Sequence, residues 1–280
     1  MAKSRSSSVK RKSSQKAIEI RYKAPHNYLG LLTKPSNTET FNSVIDALSS
    51  SKYKTLLTSD APIYLATQRE FWKNAKLESQ DETPIAINSS IKCVKVKITP
   101  QTISEVFELN DLQGKTSFPK IEYQTDFLER GYAKEMKKDT LQKGSFPPAP
   151  RFLFHTLLMC VSNKTTAFNE IPLKIQYLGY AILHGENFNY SQEIFDDLVK
   201  NVTSKSFLLF PRFLSFYFQK KFAKDNAHVL IQGEPFQING LTPETFTRLS
   251  KVSKTKAEAP EQTLAATTAP QAPAAEPTAQ

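Results

Sequence analysis

Residues 151–161 read RFLFHTLLMCV, and Phe152, Leu153, Phe154, Leu157, Leu158, Met159 and Val161 leave only His155, Thr156 and Cys160 as interruptions. At helical spacing these side chains are apolar almost all round, so the helix they form has to be enclosed by other elements. The next segment carries a milder version of the pattern. Pro172 suits a first helical turn, Ile175, Leu178, Ala181 and Ile182 recur at helical spacing, and Gly185 is a stop signal. Two adjacent apolar helices make a core centre and predict a mainly α domain.

The charge of the chain is unevenly placed. Of the formal net +10, residues 1–23 contribute eight Lys or Arg against one Glu, so the other residues together carry only +3. The basic character therefore belongs to an N-terminal arm, whose Ser and Lys/Arg composition buries too little apolar surface to offset the entropy of ordering. Cys93 and Cys160 are far apart, one of them inside the most apolar helix, which predicts a reduced intracellular protein, cytoplasmic or nuclear, without a disulfide framework. No apolar segment follows the basic residues, as a secretory signal requires. The longest apolar run, residues 207–218, includes Pro211 and Arg212 and is about 12 residues long, short of the roughly 20 that span a bilayer. No membrane span is expected.

The folded part is expected to begin near His26, with Tyr28, Leu29, Leu31 and Leu32 as its first apolar cluster. Ser36 and Glu39 fit a capping box ahead of Phe41, Val44, Ile45 and Leu48. A turn at residues 59–62 launches a second helix in which Tyr64, Gln68, Phe71, Trp72 and Ala75 share a face, with Trp72 as a core anchor. Residues 85–87 and 91–98 read as a small β-hairpin turning at Asn88, Ser89 and Ser90. Thr99 and Pro100 fit the start of a helix carrying Ile103, Val106 and Phe107. Another helix is expected over residues 121–136, and one with Ile194, Phe195, Leu198 and Val202 after Asn189. Residues 229–240 suggest a second hairpin, and Thr242 and Pro243 start a last short helix. From Lys251 onward Ala, Pro, Thr and Gln predict a disordered tail.

Chemistry-bearing patterns are few. His26, His155, His184 and His228 are scattered and neither cysteine has a nearby partner, so no metal site and no zinc knuckle is expected. Asp196 and Asp197 belong to an amphipathic helix and read as its solvated face. With eight glycines, the chain has no G-x-S-x-G elbow and no glycine-rich phosphate loop, so no cofactor and no small-molecule substrate are expected. His155 reads as a hydrogen-bonded helix residue. Two stretches remain as binding candidates. In the arm, Lys3, Arg5, Lys10, Arg11, Lys12 and Lys16 can neutralise phosphates, and six serines before Ala17 can be phosphorylated to cancel that charge. In residues 207–224, aromatic side chains interleave with Arg212, Lys220, Lys221 and Lys224; this reads as a core helix with a charged end, with base stacking or membrane-surface insertion as its alternatives.

Seven motifs follow one another in order: HNYLGLLTKP at 26–35, PIYLATQREFW at 62–72, ITPQTISEVFELND at 98–111, FLERGY at 127–132, RFLFHTLLMCVSNKTTAFNE at 151–170, FNYSQEIFDDLVKN at 188–201 and FLLFPRF at 207–213. Together, over residues 26–222, they resemble a plant family encoded in LTR-retrotransposon open reading frames, especially those of the daisy family. Members occur beside Copia-type polyprotein segments and are labelled plant transposon proteins, some of them synaptobrevin, longin-like. The chain departs from that pattern at INSSIKCVKV, where relatives have a glycine-containing turn, and in its basic arm. The longin label finds no support, since no SNARE-type heptad run is present. The family has no assigned catalytic residues.

These readings combine into one expectation. A single helical domain over residues 24–250 with a small hairpin lies between a disordered arm at 1–23 and a disordered tail at 251–280. Its expected role is that of a non-enzymatic, gag-like structural or accessory protein that self-associates and contacts nucleic acid through the arm. The rivals are an integrase- or nuclease-like enzyme and a host-domesticated interaction module.

Overall fold

In a computed structural model, which describes residues 20–36, 39–136, 139–222 and 226–251, the apolar segment forms a helix with all ten residues from Arg151 to Cys160 buried. The chain order is a 3-10 turn Glu39–Phe41, α1 Asn42–Ser50, α2 Lys54–Thr58, α3 Leu65–Asn74, β1 Lys76–Gln80, β2 Thr83–Ile91, β3 Val94–Ile98, α4 Pro100–Val106 and α5 Lys120–Glu129. It continues with β4 Leu141–Gln142, a 3-10 turn Lys143–Ser145, α6 Pro148–Cys160, β5 Glu170–Ile171, α7 Leu173–His184, α8 Tyr190–Ser204, α9 Pro211–Phe222, α10 Ala227–Leu230 and α11 Glu244–Ser250. The described residues are thus mainly α. None of their helices is long and apolar enough to cross a membrane.

Four helices, α1, α2, α7 and α11, pack on α6. Closest approach is at Gly179 of α7, where an added Cβ would come within 2.6 Å of the Phe154 ring. Phe152, Leu153, Phe154, Leu157 and Leu158 are fully buried, each contributing about 1.5–3 kcal/mol relative to an exposed position.

Several sequence expectations hold locally. Thr99 and Thr102 make a reciprocal capping box with Pro100 in the first turn of α4, and the Asn189 side chain accepts from the Gln192 N–H at the start of α8. Trp72 is fully buried, edge-on to Phe71. Gly185 ends α7 in the left-handed region.

Others need correction. The expected hairpin is a three-stranded antiparallel meander, β1–β2–β3, and its turns are Asp81–Glu82 and Lys92–Cys93, all four residues at positive φ. Asn88, Ser89 and Ser90 lie inside β2, because neighbouring elements satisfy their polar groups: Asn88 Nδ2 donates to Glu78 Oε2 of β1 at 2.7 Å, Ser89 Oγ to Phe71 O of α3 at 2.6 Å, and Asn74 Nδ2 of α3 to Ser90 O at 2.9 Å. The capping box at Ser36 and Glu39 does not start α1, whose N-cap is Phe41 without a side-chain hydrogen bond. The helix expected over residues 121–136 stops at Glu129. Gly131, at φ +85°, allows its N–H to reach Leu128 O and that of Tyr132 to reach Phe127 O, a Schellman closure. The second hairpin is absent; Phe236 and Gly240 instead bridge to Ile63 and Leu29. Packing also begins earlier than His26: Ile20 and Tyr22 lie against the core, and Leu208 N–H donates to Arg21 O at 3.0 Å.

The most consequential placement is that of Arg212, which the sequence groups with Lys220, Lys221 and Lys224 as the cations of a binding candidate and the fold makes 1% exposed. Nε donates to Asn27 O at 3.1 Å, Nη1 to Ser59 O and Oγ at 2.8 and 3.0 Å, and Nη2 to Leu56 O and Cys160 O at 2.7 and 3.0 Å. All five N–H groups are used. Leu56 and Ser59 lie at the C-terminal end of α2 and Cys160 at that of α6, so the cation sits where two helix dipoles are negative. Beside it, Asn27 Oδ1 accepts from the N–H groups of Arg212 and Phe213 and Nδ2 donates to Cys160 O, which caps α9 from far along the chain. Neighbouring His26 Nε2 accepts from Phe210 N–H at 2.9 Å, and Tyr28 N–H donates to Met159 O at 2.9 Å.

Two stability outcomes follow from these contacts. Replacing Arg212 with Met strands the carbonyls of Asn27, Leu56 and Ser59, leaves Cys160 O with Asn27 Nδ2 alone, and lowers stability by about 3–5 kcal/mol; Arg212→Lys, with fewer and differently aimed donors, is destabilised as well. Replacing Lys92–Cys93 by Asn-Gly, which tolerates two left-handed residues, raises stability by about 0.5–1 kcal/mol. Urea denaturation midpoints of the three variants check both.

Candidate functional site

The arm cations Lys3, Arg5, Lys10, Arg11, Lys12 and Lys16 lie outside the described residues, as does Lys224. Among the described residues, the aromatic side chains of the 207–222 segment point mostly inward. Phe210, Phe213, Phe218 and Phe222 are buried and stack on one another in successive pairs or on Phe71 and Phe107. Only Lys220 and Lys221 of its basic residues face solvent, Lys220 over the Phe216 ring at 5.4 Å and Lys221 3.6 Å from Glu105. This is the core-helix arrangement, with a charged end.

The acidic pair in α8 is corrected. Asp196 is half-buried and accepts from Gln192 Nε2, but Asp197 is only 3% exposed, accepting from Asn163 Nδ2 at 2.8 Å and pairing with Lys174 Nζ. A helical-wheel reading assumes that the polar side meets water, whereas the loop after α6 and the start of α7 supply these partners. Burial raises the Asp197 carboxyl above the usual carboxylate range, and Lys174 partly offsets this. Asp111 is likewise committed, accepting from Ser104 Oγ at 2.9 Å and from Ser191 N–H and Oγ at 2.8 and 2.6 Å. No group of three or more His, Cys, Asp or Glu that could hold a metal ion occurs among the described residues.

What the fold does bring together is a set of cations. Lys143 opens the 3-10 turn after β4, a turn fixed by Lys143 N–H to Asn169 O at 2.7 Å and Gly144 N–H to Asn169 Oδ1 at 2.8 Å. Arg151, 8% exposed, lies in the N-terminal half of α6. Its guanidinium donates to Gly144 O, Phe146 O, Leu249 O and Lys251 O, tying the turn to the end of α11. His155 is one turn further along α6 and 5% exposed; its Nδ1 lies 3.1 Å from Lys143 Nζ and its Nε2 lies 3.0 Å from Arg248 Nη2. These four residues line a concavity of about 450 Å³ whose apolar wall includes Pro25, Met159 and Phe168.

The chemistry of this cluster is set by protons. A guanidinium and an ammonium both only donate, and a neutral imidazole has one acceptor nitrogen, so one of the two contacts is mismatched; with Nε2 accepting from Arg248, Nδ1 carries the hydrogen. That hydrogen faces the Lys143 amine. Burial pushes Lys143 down to about 8, with Arg248 and Arg151 adding to the effect, so at neutral pH the ammonium form still dominates and a donor confronts a donor. Burial, then Lys143 and Arg248, push His155 down to about 3. Among the described residues no carboxylate forms an ion pair with Lys143, Arg151 or Arg248. The site is electropositive and its hydrogen bonding is incomplete. From sequence, the only trace is that Arg151 and His155 stand four apart on an otherwise apolar helix; Lys143 and Arg248 show no local pattern.

A pH dependence follows. His26, pushed down to about 3 chiefly by burial, and His155 both stay neutral when folded, while unfolded imidazoles protonate below about 6.5. Their folded values lie below the unfolded ones, so stability is full above about pH 6.5 and is lost as pH falls toward 3, at up to about 1.4 kcal/mol per pH unit for each histidine. In His155→Gln one of these two contributions disappears. Urea melts between about pH 7 and 4 should give a shallower acid limb for the variant.

Comparison with protein-family models, curated proteins and solved structures finds no match to this chain.

Proposed function

We propose that this protein is a non-enzymatic structural or accessory component of an LTR retrotransposon, gag-like in role, that meets nucleic acid inside the cell through its basic N-terminal arm. The observation carrying this reading is the placement of charge. Six of the chain's cations, Lys3, Arg5, Lys10, Arg11, Lys12 and Lys16, crowd into the first sixteen residues with no acidic residue among them. Such a run attracts polyphosphate without reading sequence. The two cations buried in the fold, Arg212 and Arg151, are engaged with backbone carbonyls and are not free to do so. The order of motifs that resembles the plant retrotransposon family supports the element-derived origin.

The enzyme reading draws less support. An integrase- or nuclease-like site gathers carboxylates around divalent metal, whereas the buried carboxylates Asp111 and Asp197 are bound to Ser104, Ser191, Asn163 and Lys174.

Binding of the full chain to a single-stranded oligonucleotide, measured over a range of salt, tests the proposal. If the arm engages about six phosphates, log affinity falls with log salt at a slope of about −4. Replacing the six arm cations with Gln should bring the slope close to zero. A slope unchanged by that replacement discards the arm as the contact.

A further inference from the structure

We propose that the concavity formed by Lys143, Arg151, His155 and Arg248 is a binding site for a phosphate monoester, with the phosphoryl group between Lys143 Nζ and the Arg248 guanidinium and the organic part against Pro25, Met159 and Phe168. The proposal uses none of the arm cations and does not depend on the nucleic-acid reading.

Three observations converge on a phosphoryl ligand. The first is uncompensated charge: four cations, Lys143 of the 3-10 turn after β4, Arg151 of α6, Arg248 of α11 and Lys251 just after it, border one cavity, and among the described residues none of them forms an ion pair with a carboxylate. Like charges gathered in a partly buried place cost stability unless an anion joins them. The second is the donor conflict at His155. An oxygen placed between Lys143 and His155 accepts from both Nζ and Nδ1–H, while another accepts from Arg248, so a tetrahedral oxyanion removes the mismatch that the 3.1 Å Lys143–His155 contact creates. Arg151 has its own N–H groups engaged with carbonyls and contributes charge and rigidity. The third is shape. At about 450 Å³ the cavity exceeds what a bare oxyanion fills, and its remaining wall of Pro25, Met159 and Phe168 is apolar, with one ring available to a planar group. A dianionic monoester satisfies both halves, and a carboxylate supplies too little charge.

The groups facing Lys143 are the neutral His155 and the cations Arg248 and Arg151; burial first, then the two arginines, oppose its protonation. Bound phosphate reverses that bias, so affinity should decline as pH rises above about 8 and Lys143 loses its proton.

Calorimetric titration and thermal melting of the full chain with inorganic phosphate and with a nucleoside 5′-monophosphate test the site. Both ligands should bind and raise the melting temperature, the monophosphate more tightly. Lys143→Met and Arg248→Gln should each weaken binding about tenfold or more. Without ligand, Lys143→Met should melt no lower than the wild type, because it removes a repelled cation. That readout separates a binding site from a structural cluster. Absence of heat and of any melting shift with both ligands overturns the proposal, as does a shift that persists when Lys143→Met and Arg248→Gln are combined or an unliganded melting temperature lowered in both single variants. A 5′-phosphorylated oligonucleotide that binds more tightly than its unphosphorylated counterpart supports a nucleic-acid end as the source of the phosphoryl group; equal binding of the two, with the mononucleotide still bound, supports a small molecule. The variant lacking the six arm cations should keep the inorganic phosphate response, so failure of the arm reading and failure of this one are separate results.

Discussion

A guanidinium that forms no ion pair among the described residues ties this fold together. Arg212 is fully enclosed, and burial lowers it to about 10, yet it remains charged at neutral pH. Desolvating such a cation costs several kcal/mol. Five hydrogen bonds and the negative ends of α2 and α6 offset that cost, and the planar fork of an arginine can reach Asn27, Leu56, Ser59 and Cys160 at once. Through it and the adjoining residues 26–28, the N-terminal segment, the end of α6 and the start of α9 are held in one arrangement. Without this knot, the carbonyls ending α6 and the N–H groups opening α9 would be buried without partners.

The other buried arginine repeats the device at the opposite end of α6. Arg151 collects carbonyls from the turn before α6 and from the end of α11, so the two arginines clamp the central helix between elements distant in sequence. The balance differs between the two ends. At Arg212 the helix dipole favours the charge, whereas Arg151 stands near the positive end of α6 and shares its surroundings with Lys143 and Arg248. One end of the helix is electrostatically satisfied and the other is left positive. That difference distinguishes the structural arginine from the one that lines a binding cavity.

Local features were readable where a single interaction decides them. The Thr99–Pro100 start of α4, the Asn189 cap, the enclosure of α6 and the burial of Trp72 each follow from a residue and its near neighbours. Readings failed where a partner from elsewhere changed the outcome. Asn88, Ser89 and Ser90 have the composition of a turn, but Glu78 of β1 and Phe71 and Asn74 of α3 satisfy their polar groups and the strand runs through them. β1, with Leu77 as its one apolar residue of size, carries too little alternation to be recognised alone, and it exists because β2 pairs with it. Asp197 occupies the polar side of its helix and is still enclosed, because Lys174 and Asn163 cover it.

By itself the sequence determined that the chain folds mainly as helices around residues 151–183, since apolar periodicity and capping act over a few residues and need no knowledge of the rest. It also determined the uneven distribution of charge, which is composition alone. Only the tertiary structure decided what the polar residues inside that frame do. Whether Arg212 is a surface cation or a buried clasp depends on contacts across 52 to 185 positions of sequence, and whether Lys143, His155 and Arg248 meet depends on contacts across 12 and 93. A hydrogen-bonding side chain takes its meaning from the group opposite it, and in this protein that group comes from another part of the chain.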